Sequence, residues 1–338
     1  MKKLVSFMLV MVLALSMSIG AFANGTDGGS TYTDKDSVTI TKTYKETNEG
    51  STSPAETFQF TIEAASVEDA ADGVSVGKMP MPTVGSVAYL EGDAGSSDAQ
   101  KTITITLPEY TSVGVYTYTI RETASETAGV VSHGDDITLV VTVLQGENGL
   151  IRVPAVHTET SDGTKSDDIS NEYQAGQLSV TKQVTGNMGD RSKEFDFTVK
   201  FNAPDGKKVL SDITYTVGKD TYTISAEEWS ENLSVERNIS LQHGDTVTFI
   251  NIPYGVTYKV TEAVYDDYTQ TIKSSDNESN GNGTVNSPTE TVTAINDKDG
   301  GAIDTGIFLD NMPYIVMLVV VIAGFTAFAM KKRHSVED

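Results

Sequence analysis

The feature that most constrains the fold is a strand-like alternation that places a lysine on its apolar side, and it occurs twice. Residues 37–44 read SVTITKTY, in which Lys42 shares one side with three apolar residues. Residues 177–184 read QLSVTKQV, and Lys182 again shares the apolar side. Because successive side chains of a strand point to opposite faces, both lysines are expected to face a hydrophobic core.

The rest of the chain between the two termini is typical of an all-β protein. Short runs rich in Thr, Val and Tyr, such as TITITL (102–107) and TVTFINI (246–252), are separated by Gly, Asp, Asn or Pro, and no long amphipathic helix is predicted. This pattern predicts two tandem immunoglobulin-like β-sandwiches. The predicted segments are a polar leader (24–36), an N-terminal sandwich (37–173), a linker (174–177), a C-terminal sandwich (178–298) and a stalk with a processing motif (299–306).

Each half also places a glutamate and an asparagine at matching positions. Glu122 follows Lys42 by the same number of positions as Glu262 follows Lys182 (122 − 42 and 262 − 182 are both 80). The last predicted strand of each half carries an asparagine, at the positions Asn171 and Asn296. Alternation predicts that five of these six polar residues face the core. Around Asn296 the alternation is irregular, because its apolar neighbour Ile295 faces the opposite side of the strand.

A buried lysine has two ordinary interpretations, a side chain that snorkels at a sheet edge and an ion pair with a glutamate. Neither predicts an asparagine as a third member in both halves. Burial lowers the pKa of a lysine, raises that of a glutamate and favours a neutral amine that is a competent nucleophile. A protonated glutamate could polarise the asparagine amide and pass a proton to departing ammonia. The sequence therefore predicts autocatalytic isopeptide crosslinks, Lys42–Asn171 and Lys182–Asn296, with Glu122 and Glu262 as catalytic groups and no cofactor.

The two ends of the chain are typical of a secreted precursor. Residues 1–23 combine a basic start, an apolar run and a small-residue cleavage site, which predicts a signal peptide. Residues 314–330 form a charge-free apolar run before three basic residues, and AIDTG precedes it at 302–306. This combination resembles the cell-wall sorting signal of Gram-positive surface proteins, with Ala302 and Ile303 in place of the usual Leu and Pro. The resemblance implies that a sortase cuts between Thr305 and Gly306 and that residues 307–338 are removed.

The whole arrangement resembles the shaft pilins of sortase-assembled Gram-positive pili, and in particular the two-domain streptococcal backbone pilin with an isopeptide-linkage domain. YTIRET (118–123) is similar to the start of the pilin E-box, and residues 243–263 resemble the late strands of collagen-adhesin B-type domains. The resemblance implies a cell-surface pilus subunit. Its partners would be a sortase, neighbouring subunits and, through the pilus base, peptidoglycan. It also implies an acceptor lysine shortly before the first-domain asparagine, where Lys165 stands; strict alternation would turn Lys165 inward, and the rivals are Lys200, Lys207 and Lys208.

Other functions are disfavoured by composition. A net charge of −23 disfavours a nucleic-acid partner, and the absence of cysteine excludes disulfides. Four histidines show no metal-ligand spacing, His133 and His243 are predicted to lie in turns, and the acidic stretch at Asp266 is interpreted as solvated surface. The predicted protein is not an enzyme. The alternative to a pilus shaft is a wall-anchored adhesin or minor pilin that binds a host-surface ligand without polymerising.

Overall fold

The computed structural model describes residues 32–159, 165–229, 233–275 and 281–300, together with positions 314, 317, 318 and 321. The predicted signal peptide, the processing motif and the basic tail lie outside the described residues. Within the described part of the chain, no helix is both long and apolar enough to cross a membrane.

The first half consists of two five-stranded sheets and one two-stranded ribbon. Its strands are β1 (Ser37–Glu46), β2 (Glu56–Phe58), β3 (Phe60–Glu68), β4 (Thr83–Val84), β5 (Val87–Tyr89), β6 (Gln100–Thr106), β7 (Gly114–Glu122), β8 (Val130–Val131), β9 (Ile137–Gly146), β10 (Gly149–Glu159), β11 (Lys165–Ser166) and β12 (Asp168–Tyr173). One sheet has the order β4-β6-β1-β12-β8 and the other β11-β10-β9-β7-β3, while β2 pairs with β5. The first and last strands, β1 and β12, are therefore parallel neighbours in one sheet.

The second half repeats this arrangement with one six-stranded and one four-stranded sheet. Its strands are β13 (Ala175–Thr185), β14 (Phe195–Asn202), β15 (Ile213–Val217), β16 (Asp220–Ile224), β17 (Ser234–Leu241), β18 (Thr246–Pro253), β19 (Thr257–Glu262), β20 (Thr269–Ser274), β21 (Asn282–Thr284) and β22 (Thr289–Asp297). The orders are β16-β15-β18-β13-β22-β20 and β17-β14-β19-β21. Again the first strand, β13, runs parallel to the last, β22.

In the described part of residues 32–300, helical structure is limited to short 3-10 turns, while positions 314, 317, 318 and 321 are α-helical. The 3-10 turns are Val76–Lys78, Asp93–Gly95, Ser97–Ala99 and Ala226–Trp229. The prediction of an all-β fold is confirmed.

Each half has its own apolar core, and alternation along the strands explains its composition. In β1, Ile40 and Tyr44 are buried while the intervening threonines are only partly covered. In β13, Leu178 and Val180 are buried in the second core in the same way. Each core lies between the two sheets of its half and therefore receives every side chain on the inner face of β1 or β13, the lysines included.

Main-chain hydrogen bonds join the two halves. The predicted linker 174–177 is largely the beginning of strand β13, and Tyr254 N–H donates to the Gln174 carbonyl at 2.9 Å. Lys208 N–H donates to the Glu126 carbonyl at 2.8 Å, and Ala128 N–H donates to the Lys208 carbonyl at 2.8 Å. The connection is short and hydrogen-bonded to both halves.

Candidate functional site

The first candidate site is formed by three strands of the first half. Lys42 comes from β1 and Asn171 from its parallel neighbour β12, while Glu122 comes from β7 in the opposite sheet. In the ladder Lys42 lies opposite Ile169 and Tyr44 lies opposite Asn171. Lys42 is 0% exposed, Asn171 1%, and the side chain of Glu122 0%. The three predicted residues thus meet inside the core.

These three side chains form a closed triangle of hydrogen bonds. Lys42 Nζ donates to Glu122 Oε2 and also to Asn171 Oδ1, at 2.5 Å for the latter. Asn171 Nδ2 donates to Glu122 Oε1 at 2.5 Å. A fourth hydrogen bond comes from outside the triangle, because the His133 main-chain N–H donates to Asn171 Oδ1 at 2.8 Å. The amine of Lys42 is consequently held against the amide that it would attack.

The second candidate site has the same ladder register. Lys182 on β13 lies opposite Ala294 of β22, and Val184 lies opposite Asn296. Glu262 comes from β19 in the other sheet of this half. Asn296 is fully buried, so it also points into the core, although the apolar alternation around it in the sequence is irregular. In both halves the lysine therefore precedes, by two positions, the residue that pairs with the asparagine.

The hydrogen bonds of the second trio differ from those of the first. Lys182 Nζ donates to Glu262 Oε1 at 2.8 Å, and Asn296 Nδ2 donates to the same oxygen at 2.6 Å. Within the described residues, Glu262 Oε2 and Asn296 Oδ1 are buried without a hydrogen-bond partner. The second trio is assembled, but its asparagine carbonyl receives no donor there.

Aromatic rings pack against both lysines. Lys42 Nζ lies 4.8 Å from the centroid of the Phe58 ring, and Lys182 Nζ lies 4.2 Å from that of Phe195. These rings help to bury the two amines. Burial lowers the pKa of both Lys42 and Lys182, although the adjacent glutamate opposes this shift. Burial, with the nearby Lys42 amine, also lowers the pKa of His133. Each lysine is therefore more readily neutral than a solvated one.

The contacts of Glu122 differ from those expected of a group that polarises the amide carbonyl directly. Glu122 contacts the nitrogen of the Asn171 amide and not its carbonyl oxygen, which faces Lys42 and His133. In this arrangement Glu122 is placed to exchange protons with the amine and with the leaving nitrogen. The hydrogen bonds to the carbonyl oxygen come from Lys42 and His133. The His133 donor was missed because a main-chain N–H can come from any residue except proline, so no residue type marks it in the sequence.

Lys165 is exposed and lies on the two-residue strand β11, opposite Glu159 of β10. A bend at Asp167 separates β11 from β12, so the alternation of β12 does not turn Lys165 inward. Of the rivals, Lys207 Nζ donates to the Ser125 carbonyl, whereas Lys200 and Lys208 are exposed. The predicted cleavage residues Thr305 and Gly306 lie outside the described residues.

The histidines give no sign of a metal site. Among the residues that the structure describes, no three His, Cys, Asp or Glu side chains are grouped to hold an ion. His243 instead accepts a hydrogen bond from the Val184 N–H through Nδ1, at 2.9 Å. This contact fixes the turn before β18 to strand β13.

The fold and the trios together define a class: tandem β-sandwich proteins in which a buried lysine, glutamate and asparagine meet between the first and last strands. Residues 38–174 match the family described as a Spy0128-like isopeptide containing domain, and residues 176–298 match a domain of unknown function, DUF7601.

Comparison with whole proteins is more specific. The chain is 26% identical to a pilin of Streptococcus pyogenes serotype M1, over 95% of this chain and 98% of that protein. The crystal structure of the major pilin from Streptococcus pyogenes matches with a TM-score of 0.55 and 26% identity, covering 79% of this chain and all of that one. A shorter match, 28% identical over 99 residues, is to the pilus tip adhesin Cpa of Streptococcus pyogenes and covers 12% of that protein. The chain is thus similar to a streptococcal pilin over nearly its whole length.

Proposed function

We propose that this protein is the structural backbone subunit of a covalent cell-surface pilus, stabilised by two intramolecular isopeptide bonds. Sortase would join Thr305 of one subunit to a lysine of the next. The observation that carries the proposal is the pair of buried trios in matching register, because ion pairing alone does not require an asparagine against each lysine.

The chemistry follows from the contacts of the first trio. The proton that Lys42 gives up passes to Glu122, to which it is hydrogen-bonded, and leaves a neutral amine. The amine nitrogen attacks Cγ of Asn171 and forms the new C–N bond. The old bond from Cγ to Nδ2 then breaks. Nδ2 leaves as ammonia with a proton from Glu122, which takes the second proton of Lys42 Nζ and so ends in its neutral acid form. A buried site that began with two opposite charges ends with none.

These bonds would suit a protein under tension. They would join the first strand to the last in each half, across 129 positions in the first half (Lys42 to Asn171). By analogy with disulfides, a crosslink that closes a loop this long stabilises a fold by about 4–5 kcal/mol in the chain-entropy model. Because the chain has no cysteine, this chemistry would take the place of disulfides.

Polymerisation requires a donor and an acceptor. The resemblance of AIDTG to a sorting signal supports Thr305 as the donor, and the exposure of Lys165 supports it as the acceptor. Lys165 is exposed, and neither Lys165 nor Thr305 belongs to a buried trio, so polymerisation and internal crosslinking are separable.

The test of this role is a polymer assay with Lys165→Arg, in cells that carry the cognate sortase. We expect loss of the high-mass covalent ladder, because arginine cannot form the amide, with the monomer still secreted and still crosslinked internally. Lys200→Arg and Lys208→Arg are matched controls on exposed lysines and should leave the ladder intact. A ladder that persists in Lys165→Arg but disappears in one of the controls would reassign the acceptor.

A second role is favoured by the match to a pilus tip adhesin: a wall-anchored adhesin that binds a host ligand without polymerising. In that case the wild-type protein would show no ladder in the same cells. A single wall-linked species would then replace the shaft proposal.

A further inference from the structure

The two trios differ at the atom on which negative charge would develop. In the first, Asn171 Oδ1 accepts two hydrogen bonds, from Lys42 Nζ at 2.5 Å and from the His133 main-chain N–H at 2.8 Å. In the second, Asn296 Oδ1 is buried and, within the described residues, accepts none. The nitrogen end of each amide is nevertheless held alike, against its glutamate.

The difference matters because attack of an amine on an amide moves charge to the carbonyl oxygen. Main-chain N–H groups that are 2.7–3.1 Å from such an oxygen stabilise the tetrahedral intermediate. Of the two described donors to Asn171 Oδ1, the His133 N–H alone can stabilise the charge throughout the reaction, because Lys42 becomes the nucleophile. Glu122 is occupied with the nitrogen of the same amide.

Local structure positions the donor. Strand β8 pairs with β12, with Val131 opposite Glu172, so the chain that follows β8 passes beside Asn171. Ser132 Oγ accepts from the Ser125 N–H at 2.9 Å and ties this passage to the preceding turn. The His133 N–H is thus presented by a braced segment that directly follows strand β8.

We propose that the main-chain N–H of His133 is the oxyanion donor of the first crosslinking site, and that the two crosslinks therefore form in order, Lys42–Asn171 before Lys182–Asn296. This inference rests on the proposed isopeptide chemistry. It adds a catalytic group to the first site and a fixed order in which the two crosslinks form.

The reaction would run through an intermediate in which Asn171 Cγ carries both Lys42 Nζ and Nδ2, with the negative oxygen held by the His133 N–H. Collapse reforms the carbonyl, breaks the bond to Nδ2 and releases ammonia with the proton from Glu122, and Glu122 takes up the proton that Nζ loses. In the second half the same steps proceed without a main-chain donor among the described residues, so the barrier is higher there.

The experiment follows both crosslinks in residues 24–305, the predicted mature chain, after refolding from denaturant. Samples are quenched over time and digested, and the two crosslinked peptides are quantified by mass spectrometry. His133→Pro removes the donor. Gly134→Pro is the matched control: it places a proline in the same turn, retains the His133 N–H, and a Cβ at Gly134 meets nothing within 4 Å.

In the wild type we expect the Lys42–Asn171 peptide to appear about 10²–10³-fold faster than the Lys182–Asn296 peptide, the usual effect of one such donor. His133→Pro should slow the first crosslink by a similar factor, while the second forms at its wild-type rate in the same molecule. Gly134→Pro should not slow the first.

Two results would overturn the inference: a second crosslink that forms as fast as the first in the wild type, or a folded His133→Pro variant that crosslinks at the wild-type rate. If His133→Pro does not fold its first half, the wild-type order of appearance decides alone. Failure of both crosslinks in the wild type would instead refute the proposed function, so the two failures are distinguishable.

Discussion

Lys42 and Lys182 occupy positions where a core would ordinarily carry an aliphatic residue. Removal of a charged pair from water costs several kcal/mol per ion, and attraction between the partners offsets this cost only in part. The adjacent glutamates and the aromatic walls make each site tolerable in the unreacted protein, and the proposed reaction then removes both charges. Under the proposed function, the free energy that burial of each lysine costs prepares a neutral amine for the crosslinking reaction.

The glutamates provide the residue-scale prediction. Glu122→Ala should abolish the Lys42–Asn171 crosslink and leave Lys182–Asn296 intact, so the chain falls short of its calculated mass by one ammonia instead of two. The first half should also lose about 4–5 kcal/mol of stability with the closed loop. Intact mass and thermal denaturation measure the two effects.

The matched control is Glu68→Ala, on an exposed position of β3 in the same sheet. It should change neither quantity. Glu262→Ala should give the mirror result, with only the second crosslink lost. A Glu122→Ala chain that still carries the Lys42–Asn171 peptide would contradict the assigned role.

At the scale of elements, the shared design is a first strand parallel to a last strand, with the glutamate supplied from the facing sheet. From Ile40 in β1 and from Leu178 in β13, strict alternation predicts which side chains are buried, because each strand has one face on a core. The parallel pairing of β1 with β12 could not be predicted this way. It joins residues far apart in the chain, and alternation specifies a face but not a neighbour.

The turn before β8 lies against both halves of the molecule. Its need for a glycine at position 129 could not be predicted from the sequence. Gly129 has a φ of +77°, and an added Cβ would lie 2.5 Å from the Gln174 carbonyl oxygen and 3.1 Å from Pro253 of the second half. The predicted linker at 174–177 is ordered because this turn and Tyr254 both hydrogen-bond to Gln174. A sequence pattern reports the polarity of such a segment, but not the partners that order it.

The element-scale prediction is that Gly129→Ala destabilises the protein by about 1–3 kcal/mol, from backbone strain together with the clash at the junction. Gly73→Ala is the control, since Gly73 also has a positive φ, +93°, but its added Cβ meets nothing within 4 Å. Chemical denaturation should show the larger loss for Gly129→Ala. Equal losses in the free energy of unfolding would mean that the junction accommodates the added Cβ at no extra cost.

At the scale of the whole molecule, the two crosslinks would define a short path for force. Tension that enters β1 would cross from Lys42 to Asn171, run along residues 171–182, and cross from Lys182 to Asn296. The strands inside the two covalently closed loops, 42–171 and 182–296, would carry no load. A shaft built of such subunits would transmit tension without unfolding them.

The prediction at this scale is a pulling experiment by atomic force microscopy. The wild-type chain should show no unfolding step from either half. Glu122→Ala should release the 129 positions between Lys42 and Asn171, a gain of roughly 430 Å at 3.3 Å per residue. Unfolding steps of that length in the wild type would show that the loops are open.

The central claim, that both trios react, is tested most directly by the intact mass of purified residues 24–305, followed by peptide mapping. We predict a mass lower than the calculated one by two molecules of ammonia, with Lys42–Asn171 and Lys182–Asn296 recovered as crosslinked peptides. The full calculated mass, with all four residues in linear peptides, would contradict the claim and leave Lys42 and Lys182 as buried ion-paired lysines.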